Sequence, residues 1–132
     1  MSSKVIPTFR YRDAKAAIDF LVNAFGFHAH LVVEGDADVI EHAQLTHGGG
    51  MVMLGSVRDD AYGEVLDDSA TAPGGAIYVI VDDVYGHAER ARSAGADIVM
   101  EPEEQDYGGA NYTARDPEGN IWSFGSYDPW VD

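Results

Sequence analysis

The sequence contains no cysteine among its 132 residues. Disulfide bonds, thiolate nucleophiles and thiolate zinc sites are therefore excluded, although the compartment of the protein is left undecided. Basic residues are scarce as well, because 8 Lys and Arg stand against 23 Asp and Glu, which gives a formal net charge of −15. Recognition of nucleic acid and docking on anionic membranes both need clustered Lys and Arg. We therefore expect neither nucleic acid nor a membrane as a partner.

Long apolar runs are also missing. No uninterrupted run approaches the roughly 20 residues that a membrane span requires, and the N-terminal segment carries no apolar stretch of the signal-peptide type. We therefore expect a cytoplasmic protein. The hydrophobic fraction is nevertheless 45%, with 11% aromatic residues, so a packed core can form, and the length is that of a single domain covering residues 1–132.

An internal repeat organises the chain. When the sequence is aligned with itself at a shift of 70 positions, identical residues coincide near the ends of the predicted helices and strands. These pairs are Asp13 and Asp83, Ala24 and Ala94, Gly49 and Gly119, Gly55 and Gly125, and Ser56 and Ser126. Each copy reads as strand, helix and three further strands. We predict two βαβββ modules at about 4–55 and 75–126, joined by a polar, acidic linker at 56–74. One helix cannot cover both faces of a sheet, so the modules must pack on each other or on a second chain.

Local signals place the elements of each module. Asp13 and Asp83 stand at N-cap positions, and the apolar residues after Asp13 recur at helical spacing up to Phe25. Gly26 and Gly95 end the two helices. Strands are expected in the first copy at 5–12, 27–34, 39–47 and 51–55. Those of the second copy are expected at 76–81, 97–100, 110–115 and 120–126, with a tight turn at 116–120.

The double βαβββ pattern resembles the vicinal oxygen chelate superfamily. The segment from Asp13 to Phe27 and the turn Asp116-Pro117-Glu118-Gly119-Asn120 carry the resemblance. That superfamily includes glyoxalase I, extradiol dioxygenases, fosfomycin resistance proteins and bleomycin-resistance binding proteins. The resemblance implies an α+β fold in which two βαβββ modules form curved sheets around a central cavity. It also implies a homodimer.

The resemblance further implies where a metal ion would bind. In the metal-dependent members each copy supplies two ligands, one from its first strand and one from its last, which are His, Glu or Gln. The corresponding positions in this sequence are Ile6, Met53, Ala76 and Ser123. None of these side chains is a ligand that zinc, iron or manganese takes. We therefore expect no metal and no other cofactor, and a place in the metal-free branch that holds bleomycin-resistance and PhnB-like proteins.

Strand alternation predicts a ligand-binding surface made of apolar, aromatic and a few polar side chains, as is typical of small-molecule pockets. Arg10 needs either an anionic ligand or one of the many carboxylates of the chain. His42 aligns with Tyr112 in the repeat and is either a satisfied half-buried histidine or a base. Trp122 and Phe124 should face the core. The predicted ligand-binding residues are Thr8, Arg10, His42, Met51, Met53, Tyr78, Ile80, Tyr112 and Ser123.

The favoured function is a metal-independent binding protein that sequesters a small molecule in the cavity between the modules, with no catalytic residue. The acidic charge suits a cationic, aromatic ligand, and the resemblance implies a role in antibiotic resistance. The alternative is a glyoxalase-like lyase, isomerase or dioxygenase with a non-standard metal site, or one that uses His42 as a base. A purely structural or regulatory role has no supporting feature.

Overall fold

The computed structural model describes residues 2–68, 75–106 and 108–131. Eight strands and three helices follow in the order β1 (Thr8–Tyr11), α1 (Ala14–Phe25), β2 (His28–Glu34), β3 (Ile40–His47), β4 (Gly50–Ser56), α2 (Ala61–Asp68), β5 (Ile77–Ile80), α3 (Val84–Ser93), β6 (Asp97–Glu104), β7 (Ala110–Arg115) and β8 (Ile121–Gly125). The chain divides into two compact units. The first holds the residues up to Val22 and those from Gly26 through α2, and the second holds Asn23–Phe25 and the residues from Gly75 onward.

Each unit contains one four-stranded sheet with the same topology. The strand order is β1-β4-β3-β2 in the first sheet and β5-β8-β7-β6 in the second. The outer pairs β1–β4 and β5–β8 are parallel, whereas every other neighbouring pair is antiparallel. The predicted α+β fold of two βαβββ modules is confirmed.

The two helices of the repeat begin where the N-cap residues predict. Asp13 accepts a hydrogen bond from the backbone N–H of Ala16 at 3.1 Å, and Asp83 accepts one from that of Gly86 at 3.0 Å. Gly26 ends α1 with a φ of 82°, a left-handed conformation that L side chains avoid. Capping and helical periodicity are local properties, which is why the sequence placed these helices correctly.

The turn before β8 is held by one buried carboxylate. Asp116 accepts hydrogen bonds from the backbone N–H groups of Glu118 and Asn120, both at 3.0 Å. Its second oxygen accepts from Asn120 Nδ2 at 3.0 Å and from the indole Nε1 of Trp122 at 3.1 Å. Trp122 is itself fully buried, so this turn also orients a core side chain.

The segment predicted as a linker contains a helix, and the bounds of some predicted strands differ from the structure. The linker at 56–74 contains helix α2, which begins after Asp60, whose side chain accepts from the N–H of Gly63 at 2.7 Å; residues 69–74 lie outside the described residues. Strand β6 continues to Glu104, four residues beyond the predicted end. It is an edge strand, and Pro102 is tolerated there because one side of an edge strand needs no backbone donor.

The two copies differ by one residue inside β3. Ser56 Oγ accepts from the N–H of Ile40, and Ser126 Oγ accepts in the same way from that of Ala110. Further along, however, Ala43 pairs with Leu54 whereas Tyr112 pairs with Phe124. The extra residue of β3 is Glu41, where the register with β2 shifts.

This bulge corrects the predicted repeat alignment. Between Glu41 and the end of β3 the two copies are related by 69 positions rather than 70, so His42 is equivalent to Asn111, and Ala43 is equivalent to Tyr112. The predicted match of His42 with Tyr112 was therefore wrong. The first copy has one extra residue in β3 and one residue fewer in the β3–β4 hairpin, and an alignment at a constant shift of 70 cannot represent these two changes.

Candidate functional site

Each sheet has one buried face and one face that is half-exposed. We call the half-exposed faces the first open face and the second open face, after their sheets. The first open face carries Thr8, Arg10, His42, Gln44, Met51 and Met53. The second open face carries Tyr78, Ile80, Asn111, Thr113, Ile121 and Ser123. Eight of the nine predicted ligand-binding residues thus lie on one of these two faces.

The first open face combines flexible apolar side chains with amide and imidazole groups. Met51 and Met53 alternate along β4, and thioether side chains adapt to ligands of varied shape. Gln44 lies beside Met53 on β3, and its amide Nε2 donates to His42 Nε2 at 3.0 Å. This bond assigns the proton of the neutral imidazole to Nδ1. The face can therefore offer apolar contact together with directed hydrogen bonds.

Arg10 pairs with a carboxylate of its own unit. Its two terminal nitrogens donate to the two oxygens of Asp60 at 3.0 and 3.1 Å, and its side chain is 12% exposed. The ring of Tyr62 lies under the guanidinium, 5.0 Å from its carbon. The hydrogen bonds from Arg10 lower the pKa of Asp60. Of the two partners that the sequence allowed for Arg10, the structure supplies an internal one.

A second arginine is held by the β3 bulge. Arg58 donates from one terminal nitrogen to the carbonyl oxygens of Ile40 and Glu41, each at 3.1 Å. Gly55 lies against these carbonyls, and a Cβ atom there would approach the Glu41 oxygen to 3.0 Å. Arg58 Nε lies 3.8 Å from Asp60. The bulge therefore fixes Arg58 beside the pair of Arg10 and Asp60.

The second open face is polar in a different way. The hydroxyl groups of Thr113 and Ser123 are 2.8 Å apart, and Asn111 accepts from Gln105 Nε2 at 3.2 Å. The hydroxyl of Tyr78 donates to the backbone carbonyl of Tyr127 at 2.7 Å. Hydroxyls and amides on a half-exposed surface can donate to or accept from a ligand, but no charged side chain takes part in these bonds.

Tyr112 is the exception among the predicted ligand-binding residues. It is fully buried and projects from β7 opposite to Thr113, so it is not part of the second open face. Its hydroxyl donates to His87 Nδ1 at 2.6 Å, while His87 Nε2 donates to the Phe25 carbonyl at 2.9 Å. Burial raises the pKa of Tyr112. The misplacement follows from the one-residue error in the repeat alignment.

Two residues that matter here, His87 and Asp60, were not predicted from the sequence. His87 lies three residues after the buried Val84, on the buried stripe of α3, and that spacing was a usable signal for a buried histidine. Asp60 belongs to an acidic stretch that suggested either a solvated linker or a negative field that attracts cationic ligands. Nothing local connects it to Arg10, from which it is 50 residues distant in sequence.

The positions that the resemblance assigns to metal ligands hold unsuitable side chains. Met53 and Ser123 lie on the open faces, whereas Ile6 and Ala76 precede β1 and β5 and are exposed. A thioether, a lone hydroxyl and two aliphatic groups do not fit a divalent ion. Across residues 2–68, 75–106 and 108–131, no group of three or more His, Asp or Glu is placed to hold one. No helix in that part of the chain is long and apolar enough to cross a membrane.

Comparisons with known proteins agree with this architecture. An uncharacterized protein of Mycobacterium bovis is 36% identical over 117 residues, which cover 86% of this chain and 76% of that protein. The crystal structure of TioX from Micromonospora sp. ML1 has a TM-score of 0.72 at 34% identity and covers 94% of this chain and 98% of TioX. The fosfomycin resistance protein FosX from Mesorhizobium loti shares the fold, with a TM-score of 0.66 at 16% identity over 98% of this chain and 96% of FosX. Residues 6–124 match the family model described as Glyoxalase/Bleomycin resistance protein/Dioxygenase superfamily, and the chain belongs to that superfamily.

Proposed function

We propose that this protein binds a small organic molecule at its first open face without a metal ion and sequesters it without transforming it. The observation that carries the proposal is the chemistry at Ile6, Met53, Ala76 and Ser123, where metal-dependent relatives need imidazole, carboxylate or amide ligands. On the first open face, Met51 and Met53 supply apolar contact, and Gln44 and His42 supply hydrogen-bonding groups. Such a mixture is typical of binding pockets.

The ligand class follows from charge and side-chain type. A formal net charge of −15 raises the local concentration of cations around the protein. Tyr62 and Tyr78 are large aromatic side chains that remain partly exposed, and aromatic rings stack with planar ligands and attract cations. We expect a cationic, aromatic ligand. Antibiotics of this chemistry are the first compounds to test, since a bleomycin resistance protein gives the superfamily part of its name.

A homodimer is part of the proposal. Strand β2 lies at the edge of the first sheet, and all seven of its residues are exposed, including the neighbouring apolar residues Leu31, Val32 and Val33. An uncovered apolar edge strand of this kind favours association with another chain. Light scattering during size-exclusion chromatography should give twice the chain mass of 14.2 kDa. A monomer at all micromolar concentrations would contradict this part of the proposal.

The decisive experiment for metal independence is a thermal melt of chelator-stripped protein. Zinc, nickel, manganese and iron(II) are added separately. An ion that binds only the folded state stabilises it by about 2.7 kcal/mol at a hundred times its dissociation constant, a shift of several degrees. We expect no shift with any of the four. A reproducible shift with one metal, matched by stoichiometric metal in the purified protein, would overturn the metal-independent function.

The rival function is an enzyme that uses His42 as a base. The observation in its favour is the bond from Gln44, which orients the half-buried imidazole on the first open face. Measurements of ligand binding and of turnover on wild-type protein and on the His42→Ala variant distinguish the binding protein from the enzyme. We expect stoichiometric binding without turnover in both. Turnover that is lost with His42→Ala would establish the enzyme instead.

A further inference from the structure

Asp60 occupies the end of the Arg10 guanidinium, one of the two edges through which this group can bind a carboxylate. A guanidinium binds a carboxylate through two parallel N–H groups, and here both of these groups already donate to the two oxygens of Asp60. The Arg10 side chain is only 12% exposed, so a second carboxylate has little access to it. Tyr62 lies against the guanidinium as well. Both terminal nitrogens of Arg10 on the first open face are therefore paired within its own unit.

The neighbouring arginine does not replace it as an anion receptor. Arg58 directs one terminal nitrogen to the carbonyl oxygens of Ile40 and Glu41, and its Nε lies 3.8 Å from Asp60. Its guanidinium therefore supports the bulge and the same carboxylate. The formal charges of Arg10, Arg58 and Asp60 sum to +1, within a protein of net charge −15. Both terminal nitrogens of Arg10 and one of Arg58 donate to acceptors of the chain.

Asp60 is held in place independently of Arg10. It precedes α2, and its Oδ1 accepts from the N–H of Gly63 at 2.7 Å while its carbonyl accepts from that of Glu64 at 3.0 Å. The carboxylate is thus presented to Arg10 by a helix N-terminus, where negative charge is favourable. Its lowered pKa keeps it ionised at neutral pH. The pairing is therefore already formed before any ligand arrives.

From this geometry we infer that Asp60 is a specificity-determining residue: as the built-in counter-ion of Arg10, it makes the first open face reject anionic aromatic ligands and accept cationic ones. The inference rests on the proposed small-molecule binding function. It goes further by assigning ligand-charge selection to one carboxylate outside the sheet. Without that carboxylate, the same face would present the Arg10 guanidinium without its counter-ion, and the preference would turn toward anions.

The test uses two probes with the same ring and opposite charge, 2-naphthylmethylammonium and 2-naphthoate. Their dissociation constants are measured by calorimetry on full-length protein. Wild-type protein should bind the ammonium probe more tightly. Asp60→Asn keeps an N-cap side chain for α2 but removes the charge, and should move the ratio of the two constants toward naphthoate by about tenfold, as expected when a charged hydrogen-bonding group is freed.

Two further variants separate this mechanism from a general charge effect. Asp59→Asn makes the same change in net charge at the adjacent, exposed carboxylate and should change the ratio less than about twofold, because exposed charges are screened. The double variant Arg10→Gln/Asp60→Asn should lose the gain in naphthoate binding. Circular dichroism and a thermal melt verify that each variant is folded.

The outcomes also separate this inference from the proposed function. The role of Asp60 would be overturned if Asp60→Asn and Asp59→Asn gave the same ratio of the two dissociation constants. It would also be overturned if the tighter binding of naphthoate persisted in the double variant. Either result would leave the binding function intact. If wild-type protein binds neither these probes nor any cationic aromatic compound, both the binding function and the inference are wrong.

Discussion

The carboxylate of Asp116 and the indole of Trp122 are joined by a hydrogen bond of 3.1 Å, and both residues are buried. Through this bond the turn before β8 is tied to the largest side chain of the buried core. The Trp122 ring contacts Phe25 at 5.5 Å between centroids, and Phe124 lies 4.7 Å from Phe25. A turn that would otherwise be a surface connection therefore contributes to the stability of the second unit.

Asp116→Ala should be strongly destabilising. It leaves the buried indole N–H and the N–H groups of Glu118 and Asn120 without their acceptor, and we expect a loss of about 2–4 kcal/mol in the free energy of unfolding by urea. Asp128→Ala is the matched control, since Asp128 accepts from the N–H of Trp130 in an exposed turn. A change below about 0.5 kcal/mol is expected there. Equal losses in the two variants would contradict a special role for the buried turn.

Tyr112→Phe removes the hydroxyl that donates to His87 Nδ1 while leaving the aromatic packing against Phe124 in place. We expect the free energy of unfolding to fall by about 1–3 kcal/mol, because a buried polar partner is lost. Tyr85→Phe serves as the control, since the Tyr85 hydroxyl donates to Glu104 at an exposed position. If Tyr112→Phe has no larger effect than Tyr85→Phe, the buried hydrogen bond contributes nothing measurable.

Gly55→Ala tests the bulge of β3. The added methyl group would lie 3.0 Å from the carbonyl oxygen of Glu41 and 3.3 Å from that of Ile40, and these backbone atoms cannot rotate away. We expect a loss of about 1–3 kcal/mol in thermal or urea unfolding. Gly75→Ala, where a methyl group would have no neighbour within 4 Å, should be close to neutral. A neutral Gly55→Ala would mean that β3 and β4 can separate at little cost.

His47 should contribute to the pH dependence of stability. Burial lowers its pKa in the folded protein below the value of 6.5 in an unfolded chain. The unfolded state therefore binds more protons, so this contribution is fully present above pH 6.5 and is lost as the pH falls through the folded-state pKa. In His47→Gln the unfolding free energy should fall less steeply between about pH 7 and pH 5. Parallel pH profiles for the two proteins would contradict this assignment.

Local chemistry explains most of what could be predicted. Hydrogen bonds and backbone angles within a few residues form the N-caps at Asp13 and Asp83, the helix end at Gly26 and the turn from Asp116 to Asn120. Strand alternation acts locally too, and it placed Trp122 and Phe124 in the core and Ser123 on the opposite face. The repeat then extended these local assignments to the succession of elements in both modules, whereas the strand order of each sheet came from the structure.

The sequence by itself therefore determined the two βαβββ modules, the superfamily and the unsuitability of Ile6, Met53, Ala76 and Ser123 as metal ligands. Only the tertiary structure decided the bulge at Glu41, the burial of Tyr112 and the partner of Arg10. The physical reason is the same in each case. Register, burial and ion pairing depend on which distant segments meet, and a periodic pattern carries no information about an inserted residue or about a carboxylate 50 positions away.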